Sequence, residues 1–162
     1  MTGANVKHSF KIFTWNARAL FHHDIARRRK LKLQFLRKIT KTADVILIQE
    51  SHGEEGEAER QLLLEMQNFT IFHSTGPKKH VVGIITMIRN DIIIGSATPV
   101  VTHLEPGRIH AITITHGDNT IHYINVHNHN ISEAGISKTR SFMSTHASFT
   151  SELGGAQTMW VG

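Results

Sequence analysis

The spacing of apolar positions changes twice along this chain. Over residues 8–15 (HSFKIFTW) apolar and polar residues alternate, the two-residue period of a half-buried strand. Over 24–41 the period lengthens: Leu31, Phe35 and Ile39 recur every four residues with Leu36 beside them, which predicts a helix with Asp24 as its N-cap. Residues 43–49 (ADVILIQ) form a short unbroken apolar run, as expected of a strand covered on both faces. A second helix is predicted over 54–67, acid-rich at its start as the helix dipole prefers. Beyond it the chain reads as extended at 69–73, 81–88, 92–94, 97–103, 108–115 and 121–126. Turn residues separate these runs at Gly76-Pro77, Asn90-Asp91, Glu105-Pro106-Gly107 and Gly117-Asp118-Asn119. Ser132 or Ser137 opens a last helix reaching about Leu153, Gly154-Gly155 breaks it, and Met159-Trp160-Val161 starts a further strand.

The order β-α-β-α, meander, α-β is that of a mixed α/β domain with helices on at least one face of its sheet. Its first two strands flank a helix of suitable length and are expected to run parallel in a right-handed unit. Parallel neighbours end on the same sheet edge, so Asn16 (after Trp15) and Glu50 (after Gln49) are predicted to meet there. Such edges bind ligands in open α/β sheets. Each residue also has an ordinary reading, Asn16 as a turn residue and Glu50 as a loop carboxylate. A third group follows the apolar positions of IHYINV, where HNHN places His127 at the next strand end. An amide, a carboxylate and an imidazole at one edge suit phosphodiester hydrolysis. A hard cation such as Mg²⁺, or Mn²⁺ in its place, takes one or two carboxylates and keeps its waters.

Charge adds a partner to this picture. Lys and Arg total 18 against 13 acids. Eight of the bases fall in residues 26–41 (ARRRKLKLQFLRKITK) without one acid. Such a segment is either a solvated helix face or a contact for a polyanion, nucleic acid being the expected one. Arg27 and Arg28 stand in the predicted first turn, where the dipole disfavours cations, and this tilts the reading toward binding. Lys78 and Lys79 at a hairpin tip are further candidate phosphate contacts. The chain has no cysteine, no apolar leader at its start, and no apolar run near the roughly 20 residues of a membrane helix, so an intracellular setting is the expectation. The 13 histidines invite a transition-metal site, but no H-x₃-H or H-E-x-x-H pattern is present. Trp15 and Phe21 are expected in the core rather than stacked on a base.

Five segments, TWNARAL, ADVILIQESHG, VVGIITMIRND, GRIHAITIT and IHYINVHNHN, resemble in order and spacing the endonuclease/exonuclease/phosphatase superfamily. FHHD, QESHG and the basic helix are most similar to its retrotransposon branch. The resemblance implies a DNase I-like four-layer α/β sandwich and a Mg²⁺-dependent hydrolase, most naturally a DNA-nicking endonuclease of a retroelement polyprotein. A downstream reverse transcriptase would be its partner and the nucleus its compartment. By position it implies that Asn16 is the active-site asparagine and Glu50 the metal-binding glutamate, with Asn16 beside the metal. Arg108 matches a recurrent arginine of unassigned role. His127 stands where a tyrosine is frequent and His129 where a proline is, with Asn130 retained. A histidine at the first position resembles branches in which it contacts the phosphate or acts as an acid. In the family a strand ending in glycine leads into Asp-x-Asn, and a Ser-Asp-His comes later. Neither occurs here, so residues 1–162 are expected to be one incomplete domain, inactive or nearly so alone. On that view they supply one mixed sheet with its helices and only the first strand of the second sheet, leaving Ile and Val of the meander exposed. Two other functions compete: a non-catalytic nucleic-acid-binding scaffold, and a phosphatase of the same superfamily.

Overall fold

The computed structural model describes residues 10–21, 26–53, 56–77, 82–147 and 160–161. Asp24 and the Lys78-Lys79 tip lie outside them. Strands β1 (Ile12–Asn16), β2 (Val45–Gln49), β3 (Phe69–Thr75) and β4 (Gly83–Arg89) form one sheet in the order β1-β2-β4-β3. Strands β5 (Val100–Glu105), β6 (Ile109–His116), β7 (Asn119–Val126) and β8 (Trp160–Val161) form a second, in chain order. Helices α1 (Ala26–Ile39) and α2 (Glu57–Glu65) cover the first sheet, and α4 (Glu133–Ala147) covers the second. A one-turn helix α3 (Asn90–Ile93) joins β4 to β5.

Residue alternation builds these layers. On β2 every residue is buried: Ile46 and Ile48 face α1 and α2, while Val45 and Leu47 face the other sheet. On β6 and β7, Ile112, Ile114 and Tyr123 return that contact, and Ile109, Ala111 and Ile124 pack under α4. The result is helix, sheet, sheet, helix. The four-layer expectation therefore holds, but its division of strands does not. The meander β5–β7 already belongs to the second sheet, and β8 adds to it parallel to β7. The first sheet covers its inner apolar face on β6 and β7, and the expected exposure is confined to Val100 and Val101 of β5. Residues 92–94 are also corrected: Asn90 and Asp91 open the helical turn of α3, which buries Ile92 and leaves Ile94 outside. Ser132, the first of the two predicted openers, caps α4 by accepting from the Gly135 N–H at 3.0 Å. Phe21 is a core residue as expected, and Trp15 is partly buried against the same core, edge-on to the Phe35 ring.

Candidate active site

β1 and β2 pair in parallel, with Asn16 opposite Gln49. The ladder then continues into the loop: Ala17, Ala19 and Phe21 donate their N–H groups to the carbonyls of Gln49, Glu50 and Ser51 at 2.8–2.9 Å. Lys32 of α1 reaches over this loop and donates to the carbonyls of Arg18 and Ala19, both in left-handed backbone. Burial, with Arg28 and Arg18 nearby, pulls the Lys32 pKa down. Glu50 itself has φ 53°. A non-glycine residue held there stores about 1–3 kcal/mol, which the surrounding hydrogen bonds must offset.

This loop brings the predicted neighbours together. Asn16 Nδ2 donates to Glu50 Oε1 at 2.9 Å, and Asn16 Oδ1 accepts the Arg18 N–H at 3.0 Å. His127 arrives from the second sheet. It follows β7 on the inward parity of Tyr123 and Asn125, and its Nε2 lies 3.2 Å from the same Glu50 oxygen. The Asn16 hydrogen bond, assisted by His127, holds the Glu50 pKa below the usual carboxylate range. Burial first, then the Arg108 charge, outweighs Glu50 and lowers the His127 pKa, so the ring is neutral at pH 7.

Together Thr14, Asn16, Gln49, Glu50, Val126, His127, Asn128 and His129 line a cleft of about 430 Å³. His129 is exposed at its rim. Asn130, exposed with φ 54°, bonds the His129 ring at 3.1 Å and is not among the lining residues. Arg27 and Arg28 are exposed at the start of α1, whereas Arg29 and Arg37 are tied to Glu57 and Glu65.

The donor set fits a hard cation held largely by water. Both contacts on Glu50 from the described residues use Oε1, leaving Oε2 available as a ligand atom. Asn16 turns its NH₂ toward Glu50, so it orients the carboxylate rather than presenting its oxygen beside it. Among the described residues no group of three His, Cys, Asp or Glu side chains could hold a metal, so a His-rich transition-metal centre finds no support there.

Two buried amides beneath the cleft escape a reading by periodicity. Gln49 Nε2 donates to Asn125 Oδ1 at 2.8 Å. Asn125 Nδ2 donates to the carbonyls of Ile48 and Ile85, on β2 and β4 of the opposite sheet, at 3.2 and 2.9 Å. Their sequence signal is a polar residue at an inward position of an otherwise apolar strand.

No protein-family model matches the chain, and no curated protein matches it in sequence. Solved structures do match in shape, and what they share with this chain is its four-layer α/β fold. An AP endonuclease from Leishmania major superposes with a TM-score of 0.59 at 16% identity, covering 91% of this chain and 53% of its own. TDP2 from Caenorhabditis elegans gives 0.59 at 15%, covering 98% and 48%. The 3′ phosphatase NExo from Neisseria, bound to a product DNA hairpin, gives 0.52 at 15%, covering 94% and 57%. This chain spans about half the length of these proteins. At such identities the likeness establishes the fold.

Proposed function

We propose that this chain carries the metal-binding side of a phosphodiester hydrolase that acts on nucleic acid, and that DNA nicking for a retroelement is its activity. The convergence of Asn16, Glu50 and His127 on one cleft, from three strand ends in two sheets, carries the reading. Nucleic acid is a component of two of the matched structures, the NExo complex and D. rerio TDP2 with a single-strand DNA product (TM-score 0.53), which supports this class of substrate.

Glu50 would hold Mg²⁺ or Mn²⁺, which supplies neutralisation of phosphate charge and of the leaving oxygen. Asn16 keeps the Glu50 carboxylate ionised and aimed. His127 would offer its ring N–H to a phosphate oxygen. The exposed Arg27 and Arg28 would meet the backbone, with His129 and Asn130 at the mouth of the cleft. A reverse transcriptase is the chain's proposed partner. Because the chain spans about half the length of the matched structures, residues 1–162 are read as one part of a domain, inactive or nearly so in isolation.

Titration of the protein with Mg²⁺ by calorimetry, beside a plasmid-nicking assay, tests the proposal. Divalent binding that Glu50→Ala abolishes is expected. Its absence would overturn the hydrolase reading. Metal-dependent nicking by the 162-residue chain, lost in Glu50→Ala, would uphold the hydrolase and refute its incompleteness. DNA binding indifferent both to Mg²⁺ and to Glu50→Ala, with no divalent binding, would favour the scaffold instead.

A further inference from the structure

Arg108 has a partner that sequence position alone does not reveal. It lies one residue before β6, so the β6–β7 ladder, which pairs Ile109 with Val126, carries it opposite His127. The His127 N–H donates to the Arg108 carbonyl at 2.8 Å, and Arg108 Nη1 lies 3.1 Å from His127 Nδ1. A guanidinium has donors only and keeps its charge, so the hydrogen in that contact belongs to arginine. Nδ1 is therefore the acceptor. A neutral imidazole that accepts at Nδ1 carries its proton on Nε2, the atom 3.2 Å from Glu50 Oε1. The hydrogen bonds run in one direction, Arg108 to His127 to Glu50.

The arginine is itself held in place. Its own N–H donates to the Glu105 carbonyl at 3.0 Å. The preceding Gly107 has φ 70° and donates to Ser74 Oγ of the opposite sheet at 2.9 Å. A Cβ on Gly107 would stand 2.4 Å from the Gly76 nitrogen, so the two turns touch backbone to backbone. These contacts fix the Arg108 backbone against the facing sheet, and from there its guanidinium reaches the His127 ring.

We propose that Arg108 is a positioning residue: by occupying Nδ1 it fixes His127 as a hydrogen-bond donor at Nε2 and bars it from acting as general base. The catalytic meaning rests on the hydrolase reading, but the proton placement belongs to this chain alone. A phosphate oxygen entering the cleft would then be met by a donor already oriented. Water activation must fall to another group.

The test is imidazole ¹⁵N NMR at neutral pH on the metal-free protein, for the wild type, Arg108→Met and Arg108→Lys. The wild-type spectrum should show His127 protonated at Nε2, with its Nδ1 resonance displaced from that of a free acceptor nitrogen. Arg108→Met should return Nδ1 to the free position and speed exchange of the Nε2 proton. Arg108→Lys, which restores a cationic donor, should recover part of the displacement. Protonation at Nδ1 in the wild type, a measurement that needs no variant, overturns the assignment. So does a His127 resonance that Arg108→Met leaves unmoved. Loss of Glu50-dependent Mg²⁺ binding would remove the hydrolase reading and leave the proton placement standing.

Discussion

Acid should weaken this protein through His110. Its ring is fully buried between the sheets, with Nε2 on the Thr86 hydroxyl at 2.7 Å and no partner for Nδ1 among the described residues. Burial, with His103 of β5 and His73 of β3 as nearby imidazoles, lowers its pKa from 6.5 to about 3. The unfolded chain therefore binds a proton that the folded chain refuses. Stability tied to this group is fully present above pH 6.5 and is lost as pH falls toward 3. At about 1.4 kcal/mol per pH unit, the loss by pH 5 is about 2 kcal/mol. Urea denaturation at pH 7, 6 and 5 measures it, and His110→Gln provides the control, since Gln can still meet Thr86 but does not titrate. The variant should lose about 2 kcal/mol less than wild type over that range, whatever its stability at pH 7. Equal pH slopes for the two proteins would refute the reasoning. His122, buried against α4 with a pKa near 4, contributes in the same direction and is untouched by the substitution, so it cancels in the comparison.

Removing the Asn16 donor should raise the Glu50 pKa and, on the proposed function, weaken divalent binding by about 10–100-fold, as loss of a carboxylate-orienting partner typically does. Calorimetric Mg²⁺ titration of Asn16→Ala checks this. Gly107→Ala should destabilise the fold by about 3 kcal/mol or more, because a left-handed backbone and contact with Gly76 act together. Thermal melting reads that loss. Charge reversal at Arg27 and Arg28 should weaken DNA binding and flatten its dependence on salt, as fluorescence anisotropy at several ionic strengths would show.

Much of the first sheet was legible in the chain. The unbroken run 43–49 and the alternation before it are what a doubly covered strand and its half-covered neighbour require. Their parallel pairing alone put Asn16 beside Glu50. The second sheet was less legible because alternation says that a strand has an inner face, not which sheet it faces. Val81–Ile88 and the meander have similar patterns, yet β4 inserts between β2 and β3 while β5–β7 stack against them. The three isoleucines 92–94 favour extension locally, but Asn90 starts a turn that buries Ile92, packs Ile93 partly against the core and leaves Ile94 outside. Gln49, Asn125 and Lys32 were missed for a shared reason. A polar residue is scored as exposed until its partner on another element is known, and those partners stand far away in the chain.

Asn125 grips carbonyls on two adjacent strands of the facing sheet while Gln49 grips Asn125. Apolar stacking resists separation of two sheets but offers little resistance to sliding, since one greasy contact replaces another. Directional bonds to two neighbouring strands oppose that slip. Glu50 rides on one sheet and His127 on the other, so the distance between them is set by the shear stiffness of the sandwich. Replacing Asn125 with leucine would keep the layers together and let the two halves of the site drift out of alignment.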